Sequence, residues 1–185
     1  MRKLIYAINL TIDGCFDHTH TVADDELLEF YARLVGDADL LIYGRKTYQL
    51  MVPYWPDIAK NPSGETKADV GFARAFDSSN KIVFSRTLDR ADGSNTIIAR
   101  TNLPDEILKL KQEPGNYILT GGVDIPSQLI RLGLVDEYYF VVQPVIAGEG
   151  RRLLDGISLQ DKSRLKLIES KIFKSGIVAL HYQQQ

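Results

Sequence analysis

The 185-residue chain has a single cysteine, Cys15, and three histidines. One cysteine excludes an internal disulfide framework and any CxxC metal or redox motif. It fits a reducing compartment, and the expectation is a cytoplasmic protein. Long hydrophobic runs are also missing. The apolar opening MRKLIYAINLTIDG is interrupted by Asn9 and Asp13; it is too short for a membrane span and lacks a small-residue cleavage site. Charge of one sign is not in excess, with 22 Lys and Arg against 24 Asp and Glu and a net charge of −2. Such a chain has no electrostatic reason to seek a phosphate backbone or an anionic membrane, so neither nucleic acid nor membrane is an expected partner.

Several site signatures are absent too. There is no GxxxxGK[ST], no GxGxxG after a strand, no HExxH and no H-x-E with P-C-x-x-C. These absences remove Walker-type, ordinary Rossmann, zincin and zinc-deaminase sites. Cys15, Asp17, His18 and His20 stand close together, but no second ligand cluster accompanies them. They read as a solvated loop, and no metal site is expected; a metal-dependent enzyme using His18 and His20 would carry bound metal after purification.

What is present describes a globular protein. The chain is 44% hydrophobic and 25% charged, and a chain of this length buries roughly 70% of its unfolded surface. One domain over 1–185 is expected. Leu4–Leu10 reads as a strand, followed by a polar loop and a helix from about Asp24, which has N-cap chemistry. Leu40–Tyr43 reads as a buried strand stopped by Gly44. Lys81–Ser85, Thr96–Ala99 and Tyr117–Leu119 read as further strands, and Leu103–Lys111 and Asp124–Leu132 as helices. Glu137–Ile146, Leu165–Phe173 and Ile177–Tyr182 read as long strands, the last two forming an antiparallel hairpin around Lys174-Ser175-Gly176. Gln183, Gln184 and Gln185 read as a frayed end. Strands alternating with helices imply a mostly parallel sheet, and the hairpin a mixed edge. The fold class is α/β. The stretch 53–67, with three prolines and one glycine, reads as a long loop. Its Tyr54 and Trp55 serve either a lid over a pocket or a plug on the core.

Three strand-to-helix junctions suit anions. Gly44-Arg45-Lys46-Thr47 ends a buried strand with two cations and a hydroxyl at a helix start, where free N–H groups and partial positive charge collect. Ser85 and Arg86 follow KIVF, offering a hydroxyl and a guanidinium. Thr120-Gly121-Gly122-Val123-Asp124-Ile125 places paired glycines where backbone amides can approach a phosphate. Each alone is near chance, but open α/β sheets bind ligands at successive strand ends.

With the pieces DADLLIYGRKTY, PYWP, KIVFSRTL, TGG and LVDEYYFVVQPVIAGEGRRLL in this order, the chain resembles the dihydrofolate reductase-like superfamily. The resemblance is to its branch containing the C-terminal reductase (RibD C-terminal) domain of riboflavin-biosynthesis proteins, and it covers nearly the whole sequence. It implies a three-layer α/β/α fold and an NADPH-dependent reductase. By this resemblance Gly44, Arg45, Lys46 and Thr47 lie against the cofactor phosphates, and Ser85 and Arg86 hold the adenosine 2′-phosphate. Gly121 and Gly122, often joined by a cis peptide in the family, meet the pyrophosphate with Thr120, Val123, Asp124 and Ile125. Asp124 departs from the basic or small residue of many relatives and either contacts the cofactor region or caps the helix. Glu26 matches the carboxylate of the first helix in folate reductases, with helix-dipole compensation as the alternative role. Asp13 either lines the pocket or shapes a turn. Tyr48, Tyr54 and Trp55 are candidates to stack on a planar heterocycle. The resemblance implies a reductase like that for 5-amino-6-(5-phosphoribosylamino)uracil, with pterin reduction second. A non-catalytic nucleotide-binding dimer is the rival. A homodimer is expected through the sheet edge near VDEYYFVVQPVIAG.

Overall fold

The computed structural model describes residues 1–93, 95–156, 158 and 163–185. The chain begins with β1 (Lys3–Thr11), followed by α1 (Asp25–Gly36) and β2 (Leu40–Gly44). Three helices come next: α2 (Arg45–Met51), α3 (Tyr54–Lys60) and α4 (Lys67–Ser78). Then β3 (Lys81–Phe84), β4 (Thr96–Ala99), α5 (Leu103–Gln112), β5 (Tyr117–Thr120) and α6 (Asp124–Arg131) alternate. The last third is β6 (Glu137–Gln143), β7 (Leu165–Ile172) and β8 (Val178–Gln184).

The strands form one sheet in the order β4-β3-β2-β5-β1-β6-β8-β7. The first six strands are parallel, and β8 runs antiparallel to both β6 and β7. Apolar residues alternate along β1 and serve both faces. Leu4, Tyr6, Ile8 and Leu10 pack with Ile107 of α5 and Leu129 of α6. Ile5 and Ala7 pack with α1 and α4 through Leu28, Leu34 and Phe76. Helices therefore cover both faces, as an all-parallel core requires. No helix among the described residues is long and apolar enough to cross a membrane.

Local chemistry explains the helix boundaries. Asp24 accepts from the Leu27 N–H at 2.7 Å, and Asp25 and Glu26 occupy the first turn of α1, which favours the positive end of the helix. The stretch 53–67 is not the expected loop. Pro56 is tolerated in the first turn of α3, where its missing N–H has no intrahelical partner to lose. Thr66 and Asp69 form a reciprocal capping box that starts α4, a helix that periodicity did not reveal. The Trp55 ring meets Phe72 edge-on, with centroids 4.5 Å apart, so it is a plug on the α4 face rather than a lid.

Three further expectations need correction. Gln183 and Gln184 are not frayed: they pair with Glu137 and Leu165. β6 stops at Gln143, because Pro144 cannot donate to the ladder. It is also an inner strand, so the free edges of the sheet are β7 and β4, not the strand of VDEYYFVVQPVIAG.

Burial raises the pKa values of several tyrosines by disfavouring the charged phenolate. Tyr6, Tyr31, Tyr43 and Tyr117 are all pushed well above 10, and Tyr138 up to about 12. A phenol that ionises later in the folded chain than in the unfolded one contributes stability that is full below pH 10 and lost as pH rises past it. The urea unfolding midpoint is therefore expected to fall steeply above pH 10, in step with tyrosinate absorbance. A midpoint unchanged there would show that these rings are not sealed from water.

Candidate active site

The carboxyl ends of β2 and β5 bring two of the anion-suited junctions together. Thr120 is fully buried and donates its hydroxyl to the Ile42 carbonyl at 2.9 Å. It ties the two strands and is not available to a phosphate, against expectation. Beyond it, Gly122 has φ +79, and a Cβ there would stand 2.0 Å from Thr47 Oγ1. A Cβ at Gly44 would stand 3.1 Å from Ile125 Cγ1. Only glycines let the starts of α2 and α6 approach this closely. Ile125 is accordingly a packing residue in the core beneath Gly44. The Tyr6 hydroxyl donates to the Gly122 carbonyl at 2.8 Å and holds the turn from below. Among the described residues the cis peptide bond lies at Val52–Pro53, so the Gly121–Gly122 bond is trans and differs from the cis peptide often found there in the family.

The N-caps of both helices, Gly44 and Val123, make no side-chain cap bond. Their first-turn amides are therefore left for solvent or a ligand. Arg45 and Lys46 are exposed beside them. Lys46 Nζ lies 3.8 Å from Asp124 Oδ2, a pair open to solvent. Asp124 thus answers both the lysine and the positive end of α6.

A cleft of about 390 Å³ adjoins this junction, lined by Val123, Asp124, Ser127, Arg151, Arg152 and Leu154 among others. The Ser127 hydroxyl is buried there without a partner among the described residues. The sequence reading assigned no role to Ser127, Arg151 or Arg152. Paired arginines directly after a glycine-rich strand end were the available signal. Arg151 lies over the Phe16 ring at 5.2 Å, and Arg152 Nε donates to the Asp13 carbonyl at 2.9 Å.

Asp13 is the hub that folds these loops against the sheet. Its carboxylate accepts from the Thr11 hydroxyl at 2.6 Å, the Ala147 and Gly148 amides at 3.1 and 3.0 Å, and Arg152 at 3.3 Å. The Thr11 hydroxyl, then the Ala147 amide, hold it well below the usual carboxylate range. Of its two expected roles, lining a pocket or shaping a turn, these four contacts fit the turn.

Glu26 sits at the same edge on the other face. Its carboxylate accepts from the Lys174 amide at 2.9 Å and lies 3.7 Å from Lys174 Nζ. It joins the first turn of α1 to the β7–β8 turn while keeping part of its surface exposed. Tyr48 does not reach a pocket. It is 3% exposed, and its hydroxyl accepts from the Asp92 amide at 2.8 Å, so it is a core residue. Tyr54 is exposed, with Trp55 stacked edge-on beside it. Ser85 Oγ accepts from the Thr87 and Leu88 amides at 3.2 and 3.0 Å and shapes its own turn, leaving Arg86 exposed. The described residues hold no cluster of three or more metal-ligating side chains.

The chain belongs to the RibD C-terminal domain family, which matches residues 2–179. It is 31% identical to YyaP of Bacillus subtilis (strain 168), an uncharacterized protein, over 98% of this chain and 94% of that one. Among solved structures it resembles a candidate riboflavin-biosynthesis protein from Shewanella sp. PV-4, with a TM-score of 0.70 at 17% identity over 99% of each chain. It also resembles a diaminohydroxyphosphoribosylaminopyrimidine deaminase/5-amino-6-(5-phosphoribosylamino)uracil reductase from Thermotoga maritima. There the TM-score is 0.67 at 15% identity, over all of this chain and 57% of that one. These structural likenesses establish a shared dihydrofolate reductase-like fold.

The contact between the two junctions is testable. Gly122→Ala is expected to cost about 2–4 kcal/mol of unfolding free energy, from the clash and the left-handed backbone together. In a Thr47→Ala background the clash is relieved, and the cost should drop to about 1–2 kcal/mol. Urea denaturation of the double-mutant cycle measures the difference; equal costs in both backgrounds would refute the contact.

Proposed function

We propose that the chain is an NADPH-dependent reductase of the cytoplasm that transfers a hydride to a small heterocyclic substrate. Its first candidate activity is reduction of 5-amino-6-(5-phosphoribosylamino)uracil or a close relative. The observation that carries this reading is the contact between the starts of α2 and α6, where a side chain at Gly122 would strike Thr47. A cradle with two uncapped helix starts, the cations Arg45 and Lys46 and the partnerless Ser127 hydroxyl suits a pyrophosphate. Arg86, exposed past the end of β3, would hold the adenosine 2′-phosphate. The family, and the reductase activity named for the Thermotoga maritima protein, support the reductase class.

NADPH supplies the hydride when bound, and the chain contributes orientation, exclusion of water and proton delivery. The amides of 44–47 and 121–125 hold phosphates, and Arg151 and Arg152 close the adjoining cleft. With Asp13 committed to its turn, Glu26 would support protonation of the substrate. Pterin reduction is the second reading, favoured by the position of Glu26 in the first turn of α1. A homodimer fits the outer strand β7, whose Ile168 and Ile172 are 47% and 76% exposed. Light scattering giving twice the chain mass of 20.8 kDa would support it, and a monomer mass would refute it.

Thermal-shift titration with NADPH and NADH tests the cofactor. Ligand at about 100 times its dissociation constant stabilises the fold by roughly 2.7 kcal/mol. NADPH is expected to act at lower concentration than NADH, and Arg86→Ala to erase the preference. Asp124→Asn removes a carboxylate from the phosphate side and frees Lys46, so NADPH should bind about two- to fivefold tighter. Glu26→Gln should keep cofactor affinity and lose turnover, whereas a pure nucleotide-binding protein would show no turnover to lose. No response to either nucleotide would overturn the reading.

A further inference from the structure

Among the described residues two buried side-chain polar atoms lack a partner, Ser127 Oγ and Gln143 Nε2. The serine lines the cleft beside α6. The glutamine belongs to nothing described so far. Gln143 is the last residue of β6, 1% exposed, and pairs in register with Thr11 at the end of β1. Alternation along β6 puts its side chain on the same face as Val141. Val141 packs with Leu27 of α1 and with Phe173 and Ile177 at the base of the hairpin. The amide therefore stands on the α1 side of the carboxyl edge, the side on which Glu26 meets Lys174.

Its surroundings are held firmly. A Cβ at Gly176 would lie 3.7 Å from Pro144 Cγ, which places the hairpin turn over the residue after Gln143. Asp13 grips the next loop through the Ala147 and Gly148 amides. The Thr11 hydroxyl beside it donates to Asp13 and accepts from the Cys15 N–H, and it makes no bond to the Gln143 amide. A buried carboxamide with an unanswered donor is less stable in such a place than leucine or methionine of similar size. A purely structural position would favour the apolar residue.

We infer that Gln143 reads the substrate, its amide N–H donating to a ring carbonyl of the heterocycle to be reduced. This rests on the reductase reading above and deepens it. The residue selects rings that carry a carbonyl acceptor, such as pyrimidine-diones and lactam heterocycles, over rings that leave the donor unanswered. Glu26, from the first turn of α1, faces the same edge and supplies the complementary acceptor.

The test compares the parent protein with Gln143→Met, both saturated with NADP+, by calorimetric titration with 5,6-diaminouracil, a dione lacking ribose and phosphate. The expected result is a dissociation constant raised about tenfold or more, with NADP+ affinity unchanged and a ligand-free melting temperature equal to or above the parent's. Gln143→Leu serves in the same way if the methionine variant does not fold. Equal binding of the dione by parent and variant overturns the inference. So does binding to neither while NADP+ still binds, or a lower ligand-free melting temperature, which would make the amide an interior structural bond. Failure of the parent to bind NADP+ is a separate outcome: it removes the cofactor reading, and this inference with it.

Discussion

The close approach of the glycine turn after β5 to the first turn of α2 is the constraint on which the rest of the site depends. It joins segments separated by 78 residues, tied by the Thr120 hydroxyl on the Ile42 carbonyl. A single Cβ at Gly122 would end it, because interior packing has no slack for a 2.0 Å contact. Once β2 and β5 are neighbours in the sheet, both following helices must start at the same edge. Their uncapped amides then converge without any dedicated binding loop.

The remaining architecture uses short polar links to hang connecting segments on that edge. Asp13 ties the end of β1 to the connection after β6 with one carboxylate, accepting from Thr11, from the amides of Ala147 and Gly148, and from Arg152. Glu26 joins α1 to the hairpin turn through the Lys174 amide. Both acids therefore carry structural duties, but of different completeness. Asp13 is saturated with donors and stays anionic, whereas Glu26 spends its carboxylate on one residue. Nothing in the local sequence around either acid shows that difference.

Much of the fold was legible from pattern. Buried parallel strands such as LLIY and KIVF are continuous apolar runs, and Asp24 marks a helix start by chemistry local to a few residues. The stretch 53–67 was misread because prolines at a helix start look the same as prolines in a loop. Only the packing of Trp55 on Phe72 distinguishes them. The terminal glutamines read as frayed because polar side chains hide a strand pairing that the backbone alone supports. Within the site, the glycine and cation junctions were visible, while Ser127 and Gln143 were not. A buried polar atom is conspicuous only when its missing partner can be counted.

By itself, the sequence determined the order of strands and helices, the turn glycines, the caps and the family, because each depends on residues close together in the chain. Tertiary structure alone decided which candidates share a site. It sent Tyr48 and Thr120 into the core, locked Asp13 into a turn, and brought Arg151 and Arg152 to α6. Those outcomes depend on strand order and on the competition of each polar group for donors and acceptors, and both are settled only when distant segments pack.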